Sequence, residues 1–203
     1  MAGSDVIAVI VSDEVALDAD GISVATSVGN NAALVIGGAL ADGGSVTNAS
    51  GRQVTILSAG NDSSKSFTIV GTDVNGATLT EALTGANAGT ATSSGYFKTI
   101  ASITAVGNPA GNVSAGINAN AADVIFAGRT RLKGFSFVSG GTAGKANIRN
   151  GSVTGTEVVQ FRSIGTDDSS EDPFIPDEGI LFKDGCFVTF VVPQFDLMMF
   201  YHA

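Results

Sequence analysis

RQVTILSAGNDSSKSFTIVGTDVNGATLTEALTGANAGTATSSGYFKTIASITAV, residues 52–106, is a ladder of short alternating segments broken by Asn, Asp and Gly. Apolar side chains recur at every second position, the period of a β-strand with one face inward. Asn75-Gly76 stands between the alternating runs 66–72 and 77–83. That dipeptide is the strongest short-range hairpin signal, because both residues accept a positive φ. In the first arm Phe67, Ile69 and Gly71 share a face. Residues 53–57 read as a strand with Val54 and Ile56 together, and residues 85–95 as a loop of small residues. Residues 96–106 read as a longer strand, with Phe97, Ala101 and Ile103 on one side and Tyr96, Ile100 and Thr104 on the other. The 55 residues contain no His, no Cys, three acids and three bases. Such a stretch describes a scaffold and leaves its partner unnamed.

Outward from the ladder the same pattern continues. Residues 6–11 and 22–28 suit strands, residues 12–19 suit one or two helical turns, and residues 41–44 (ADGG) form a turn. Beyond it, residues 131–138 alternate with Phe135 and Phe137 together, and residues 145–149 and 157–162 flank Asn150-Gly151. Residues 179–182 are expected to pair with 186–192 across Lys183-Asp184-Gly185, since Asp-Gly is again a hairpin signal. The closing run 195–201 is apolar enough to require burial. Composition shifts near residues 118–123. Of 14 Phe and Tyr, 11 lie from Phe126 onward, and Lys plus Arg rise from three in the first 122 residues to seven in the last 81. The expected fold is all-β, two β-sandwich or jelly-roll-like units of antiparallel hairpins spanning 1–122 and 123–203.

The totals bound the function. With 203 residues, 44% hydrophobic, a real core is available. The net charge of −9 repels a phosphate backbone, so nucleic acid is excluded as a partner. The single Cys186 rules out an intrachain disulfide. The start has no basic region before its short apolar run, and no stretch reaches the roughly 18 apolar residues of a membrane span. The expectation is a protein made in a cytoplasm, without a membrane anchor.

Few side chains bear chemistry. His202 is the only histidine and the penultimate residue, so any triad would have to use it and a multi-imidazole metal site is impossible. Cys186 opens a core strand and reads as a small buried apolar residue rather than a nucleophile. Asp167, Asp168, Glu171, Asp172, Asp177 and Glu178 crowd one loop stiffened by Pro173 and Pro176. Their spacing departs from an EF-hand, and the loop reads as a solvated surface, with calcium binding as the competing reading. Two acids meeting in space would serve a glycosidase, but nothing singles out a pair. Sequons at Asn48, Asn61, Asn112 and Asn150 read as chance in a Ser- and Asn-rich chain. No phosphate-loop, zinc or redox motif occurs, so no catalytic residue, cofactor or metal ligand is assigned.

Two stretches carry a resemblance. GNDSSKSFTIVGTDVNGATLTEALTGANAGTATSSGYFKTIASITA, residues 60–105, resembles a repeat in virion proteins of tailed bacteriophages, marine ones in particular. GILFKDGCFVTFVVPQFDLMMFYHA, residues 179–203, is similar to the C-terminal β module of such proteins. The resemblance implies a non-enzymatic structural protein of the virion, made in the host cytoplasm. It would be a capsid decoration or cement protein bound to the major capsid protein and associated with itself, a trimer being the first expectation. The alternative is a tail or fibre component that binds a host glycan, although the chain has no Trp to stack on a sugar. A glycan depolymerase using two acids is the third reading.

Overall fold

The computed structural model describes residues 6–13, 16–139, 141–165, 170–171, 174–191 and 195–202. Among them are sixteen strands and no helix, and the strands pair antiparallel. The first half of the chain gives β1 (Val6–Asp13), β2 (Asp18–Ser27), β3 (Ala41–Asp42), β4 (Ser45–Ser58), β5 (Ser66–Thr72), β6 (Thr78–Thr84), β7 (Thr90–Thr92) and β8 (Phe97–Val106). The second half gives β9 (Asn112–Phe126), β10 (Thr130–Ser139), β11 (Gly144–Asn150), β12 (Thr156–Ser163), β13 (Ser170–Glu171), β14 (Ile180–Phe182), β15 (Cys186–Val191) and β16 (Phe195–His202). The fold is all-β, as the alternation requires.

Two compact units result, Ala16–Ala119 and Met1–Val15 with Asn120–Ala203. The expected division, 1–122 and 123–203, misplaces β1. All eight of its residues pair with β16, from Val6 opposite His202 to Asp13 opposite Phe195, so the start of the chain belongs with its end. The boundary also falls inside β9 instead of in a loop. Residues 12–19 are not helical where described: Ser12 and Asp13 finish β1, Asp18 and Ala19 open β2, and residues 14 and 15 lie outside the described set.

In the unit Ala16–Ala119 the strand order is β9-β4-β8-β5-β6, with β2 on β9 and both β3 and β7 on β4. Ile22, Val54, Ile56, Phe67, Ile69, Phe97, Ile100, Ile103 and Val113 form its core. The β5–β6 hairpin forms as the alternation demands, but not by a two-residue turn. Thr72 opposes Thr78, which leaves five residues, and only Gly76 takes a positive φ, 80°. Asp73 closes the loop instead: its Oδ1 accepts the N–H groups of Asn75 at 2.8 Å and Ala77 at 2.9 Å. The two-residue turn occurs at Gly43-Gly44, with φ of 57° and 83°, between Asp42 and Ser45. The β5–β8 register slips between Val70 and Gly71. That bulge turns Ile100 inward and Ala101 outward, so the expected facing is reversed at these two positions while Phe97 and Ile103 stay buried. Part of the expected loop 85–95 is strand β7, paired with β4.

The other unit is a β-sandwich. One sheet runs β1-β16-β10-β13 with β14 on β10, and the facing layer runs β12-β11-β15-β9. Leu132, Phe135, Phe137, Leu197, Met199 and Tyr201 from the first meet Ala121, Ile148, Phe161, Cys186, Val188 and Phe190 from the second. Each fully buried Phe contributes about 2–3 kcal/mol by removal of apolar area from water, which is why the aromatics concentrate here. β16 alternates buried and exposed along its length and lies between two neighbours, so the apolar end of the chain is buried as expected. Lys133 is the extra residue at a bulge between Leu132 and Gly134, which lets Leu132 and Phe135, three apart, both point inward.

The expected pairing of 179–182 with 186–192 does not form. β14 pairs with β10, whereas β15 pairs with β11 and β9, so the chain changes sheets at Lys183-Asp184-Gly185. The reason is a rival partner for the turn. Asn150 donates from Nδ2 to Asp184 Oδ2 at 2.8 Å and accepts the Asp184 N–H at 3.1 Å, and Gly151 N–H donates to Gly185 O at 3.0 Å. The connector is therefore tied to the β11–β12 turn.

Candidate interaction surface

Among the described residues, those singled out from sequence do not assemble into a reactive site. Cys186 lies in the sandwich core, and burial pushes its thiol from 9.0 up to about 12. A thiol so buried and protonated is a poor nucleophile at neutral pH. His202 ends β16 on the exposed outer side, opposite Val6 on one side and Arg131 on the other. Its carbonyl accepts the Thr130 hydroxyl at 2.7 Å. Of the acidic loop, Asp167, Asp168 and Asp172 lie outside the described residues, and Glu171 sits in β13 opposite Phe137. Asp177 and Glu178 are exposed, and their backbone carbonyls accept Lys133 Nζ at 2.6 Å and Arg131 Nη1 at 2.8 Å. Among the described residues no three His, Cys, Asp or Glu come together to hold a metal. Of the sequons, Asn48 is buried with its amide bonded to Phe97 O at 3.0 Å, and the Asn150 amide is engaged with Asp184.

What the fold does assemble is a graded outer face on the β1-β16-β10 sheet. At one end Arg129, Arg131, Lys133 and His202 line a recess of about 310 Å³ with Thr130. Three of the chain's ten Lys and Arg and its only His thus meet in one place on a protein of net charge −9. The middle is apolar. Ile10 is 68% exposed and Met198 37% exposed, and together with Val138, Ser136 and, at its rim, Asp196 they line a second recess of about 350 Å³. Phe200 lies over Gly134, the residue opposite it, where a side chain would meet the ring. The far end carries Asp196, opposite Ser12. Such a face offers apolar area for desolvation and a cationic end for an acidic group.

Sequence reasoning missed this face. The signal present was the spacing Arg129, Arg131, Lys133, which alternation places on one side of a strand.

The other unit carries a separate shallow groove of about 360 Å³ lined by Leu17, Thr55, Thr90, Thr92, Ile117 and Asn118. Thr55 and Thr92 are a cross-strand pair in it. It offers hydroxyls and an amide, with no aromatic platform and no acid. Set against known proteins, the chain matches no family model, no curated protein and no solved structure.

Proposed function

We propose that this chain is a structural virion protein that decorates and braces a phage capsid by binding the major capsid lattice. One observation carries the reading. The two stretches that resemble virion proteins are both strand-forming scaffold, and the second, residues 179–203, supplies β14, β15 and β16, the last being the middle of the exposed apolar and cationic face. A lattice-binding protein requires an adhesive face on a rigid support and no chemistry, and the inert Cys186 is in keeping with that. Arg129, Arg131 and Lys133 then dock an acidic patch of the capsid protein. Quantifying the protein on purified particles tests the proposal: a copy number near that of the major capsid protein is expected, and a handful of copies per particle refutes it. The charge-reversed pair Arg129→Glu with Lys133→Glu is expected to abolish binding to isolated capsids.

The threonine-lined groove favours a second reading, a tail or fibre component holding a host glycan through hydroxyl contacts. Glycan-array binding lost on Thr92→Val and Asn118→Ala, with capsid binding absent, selects it.

A further inference from the structure

The four strands that end the two main strand paths are not alike. β6 carries Glu81 and an exposed polar face, β12 carries Glu157, Gln160 and Arg162 beside a bulge, and β13 has two residues. These are the devices by which natural sheets blunt an edge. β1 has none of them before Asp13 at its end. It is eight residues long, its register with β16 is unbroken, and Val6–Val11 is a continuous apolar run without Lys, Pro or Gly. Among the described residues β1 pairs with β16 alone, so the N–H and C=O groups of its other side form an unmatched row. Val6 is 44%, Ile7 42% and Ile10 68% exposed.

We infer that β1 joins two copies of this chain, antiparallel, across a two-fold axis at Val9. Directly opposed residues of an antiparallel pair share a face, so the apolar outer side stays continuous only where even positions meet even and odd meet odd. Centring on Val9 satisfies this. It sets Ile7 against Val11 and Ala8 against Ile10, each twice, and leaves Asp13 beyond the paired stretch. Centring on Ile10 would bring Asp13 against Ile7. The run is apolar read in either direction, so a second copy complements it. The row of Val6 continues into His202 and Arg131, and the row of Ser12 continues into Asp196. Antiparallel pairing places Val6 against the partner copy's Ser12, so Arg131 of one copy and Asp196 of the other share a row, whereas a parallel arrangement would align like with like. They stand four strands apart, about 19 Å, where salt screens the attraction, so the charges agree with the orientation and the apolar self-complementarity of the run sets it. Pairing also joins the two outer faces into one surface, so a dimer presents two cationic recesses and two apolar recesses.

The test is the solution mass of the full chain by light scattering over a concentration series. A dimer in reversible equilibrium is expected. Ala8→Lys with Ile10→Lys opposes lysines across the axis twice, at exposed positions, and is expected to weaken dimerisation by about thirtyfold or more while the denaturation midpoint holds. Val9→Cys is expected to give a covalent dimer on mild oxidation, because residues opposed at the axis lie within disulfide reach. Ala8→Cys and Ile10→Cys are expected to stay uncoupled, because their equivalent Cα atoms lie about 8 Å apart by strand spacing and rise. Cys186, buried in the core, does not interfere. A monomer at every concentration, a trimer, or equal coupling at positions 8, 9 and 10 overturns the inference. None of these bears on capsid binding, and a low copy number on particles leaves the dimer untouched.

Discussion

Cys186 gives the sharpest check on the interior of the sandwich. In the unfolded chain its thiol titrates at 9.0, and in the fold burial raises this to about 12. The sign follows from linkage. Between those values the unfolded chain loses a proton that the folded one keeps, so stability is undiminished below about pH 9 and falls as pH rises toward 12. The slope is about 1.4 kcal/mol per pH unit, so by pH 10.5 the thiol alone removes about 2 kcal/mol. Other groups titrate in this range, and Cys186→Ala isolates the thiol because it leaves them in place. The variant opens a small cavity and is expected to be about 1 kcal/mol less stable than the parent at pH 8. By pH 10.5 the order reverses, and the variant is the more stable by about 1 kcal/mol. Urea denaturation of both proteins at half-unit pH steps reads the difference. A difference that stays constant from pH 8 to 10.5 means that the thiol ionises equally in both states, which would refute its place in the core between β11 and β9. Alkylation gives an independent reading: the native thiol resists iodoacetamide at pH 8 and reacts fully in urea.

Four further outcomes test the scaffold. Gly71→Ala places a methyl inside the contact radius of the Thr99 carbonyl, so β5 and β8 must part, and a loss of about 3 kcal/mol is expected in chemical denaturation. Gly76→Ala meets open space and costs only the strain of its φ, about 1 kcal/mol, so the two glycines separate collision from conformation. Asp73→Ala removes two charge-assisted bonds from the β5–β6 loop and is expected to cost about 1–2 kcal/mol, with amide exchange rising first at Asn75 and Ala77. Glu157→Gln breaks a half-exposed 3.3 Å ion pair with Arg149 and is expected to shift stability by less than about 0.5 kcal/mol.

The hairpin β5–β6 and the burial of β16 were legible because one face of each meets the core and the other does not, which is what alternation encodes. β9 was not legible. Its first half, NVSAGINA, is built from small residues that give no clear alternation, yet Val113, Ala115 and Ile117 are buried. Smallness there serves close packing: a side chain at Gly116 would collide with the backbone of Asp18 and Ala19. The bulge at Gly71 was equally silent, since a register slip lies between two strands and in neither. At β15 all of Cys186 to Phe190 is buried, so no period remains by which to choose its partner. The Asp-Gly turn then looked like a hairpin, when Asn150, 34 residues before Asp184 in the chain, had already claimed it.

The candidate surface failed to appear in the sequence for a different reason. Arg129, Arg131 and Lys133 are visible as an alternating set, but His202 joins them only because β16 lies beside β10 with His202 opposite Arg131. That register closes a loop of about seventy residues, and no local rule specifies it. The edge is harder still. VIAVIV would serve as a strand buried on both faces, and only the topology, with β16 on one side and no described strand on the other, turns the same residues outward. Core and interface are written in one alphabet here. The residues with no chemistry of their own become the ones whose position carries a consequence, and position is a property of the sheet rather than of the strand.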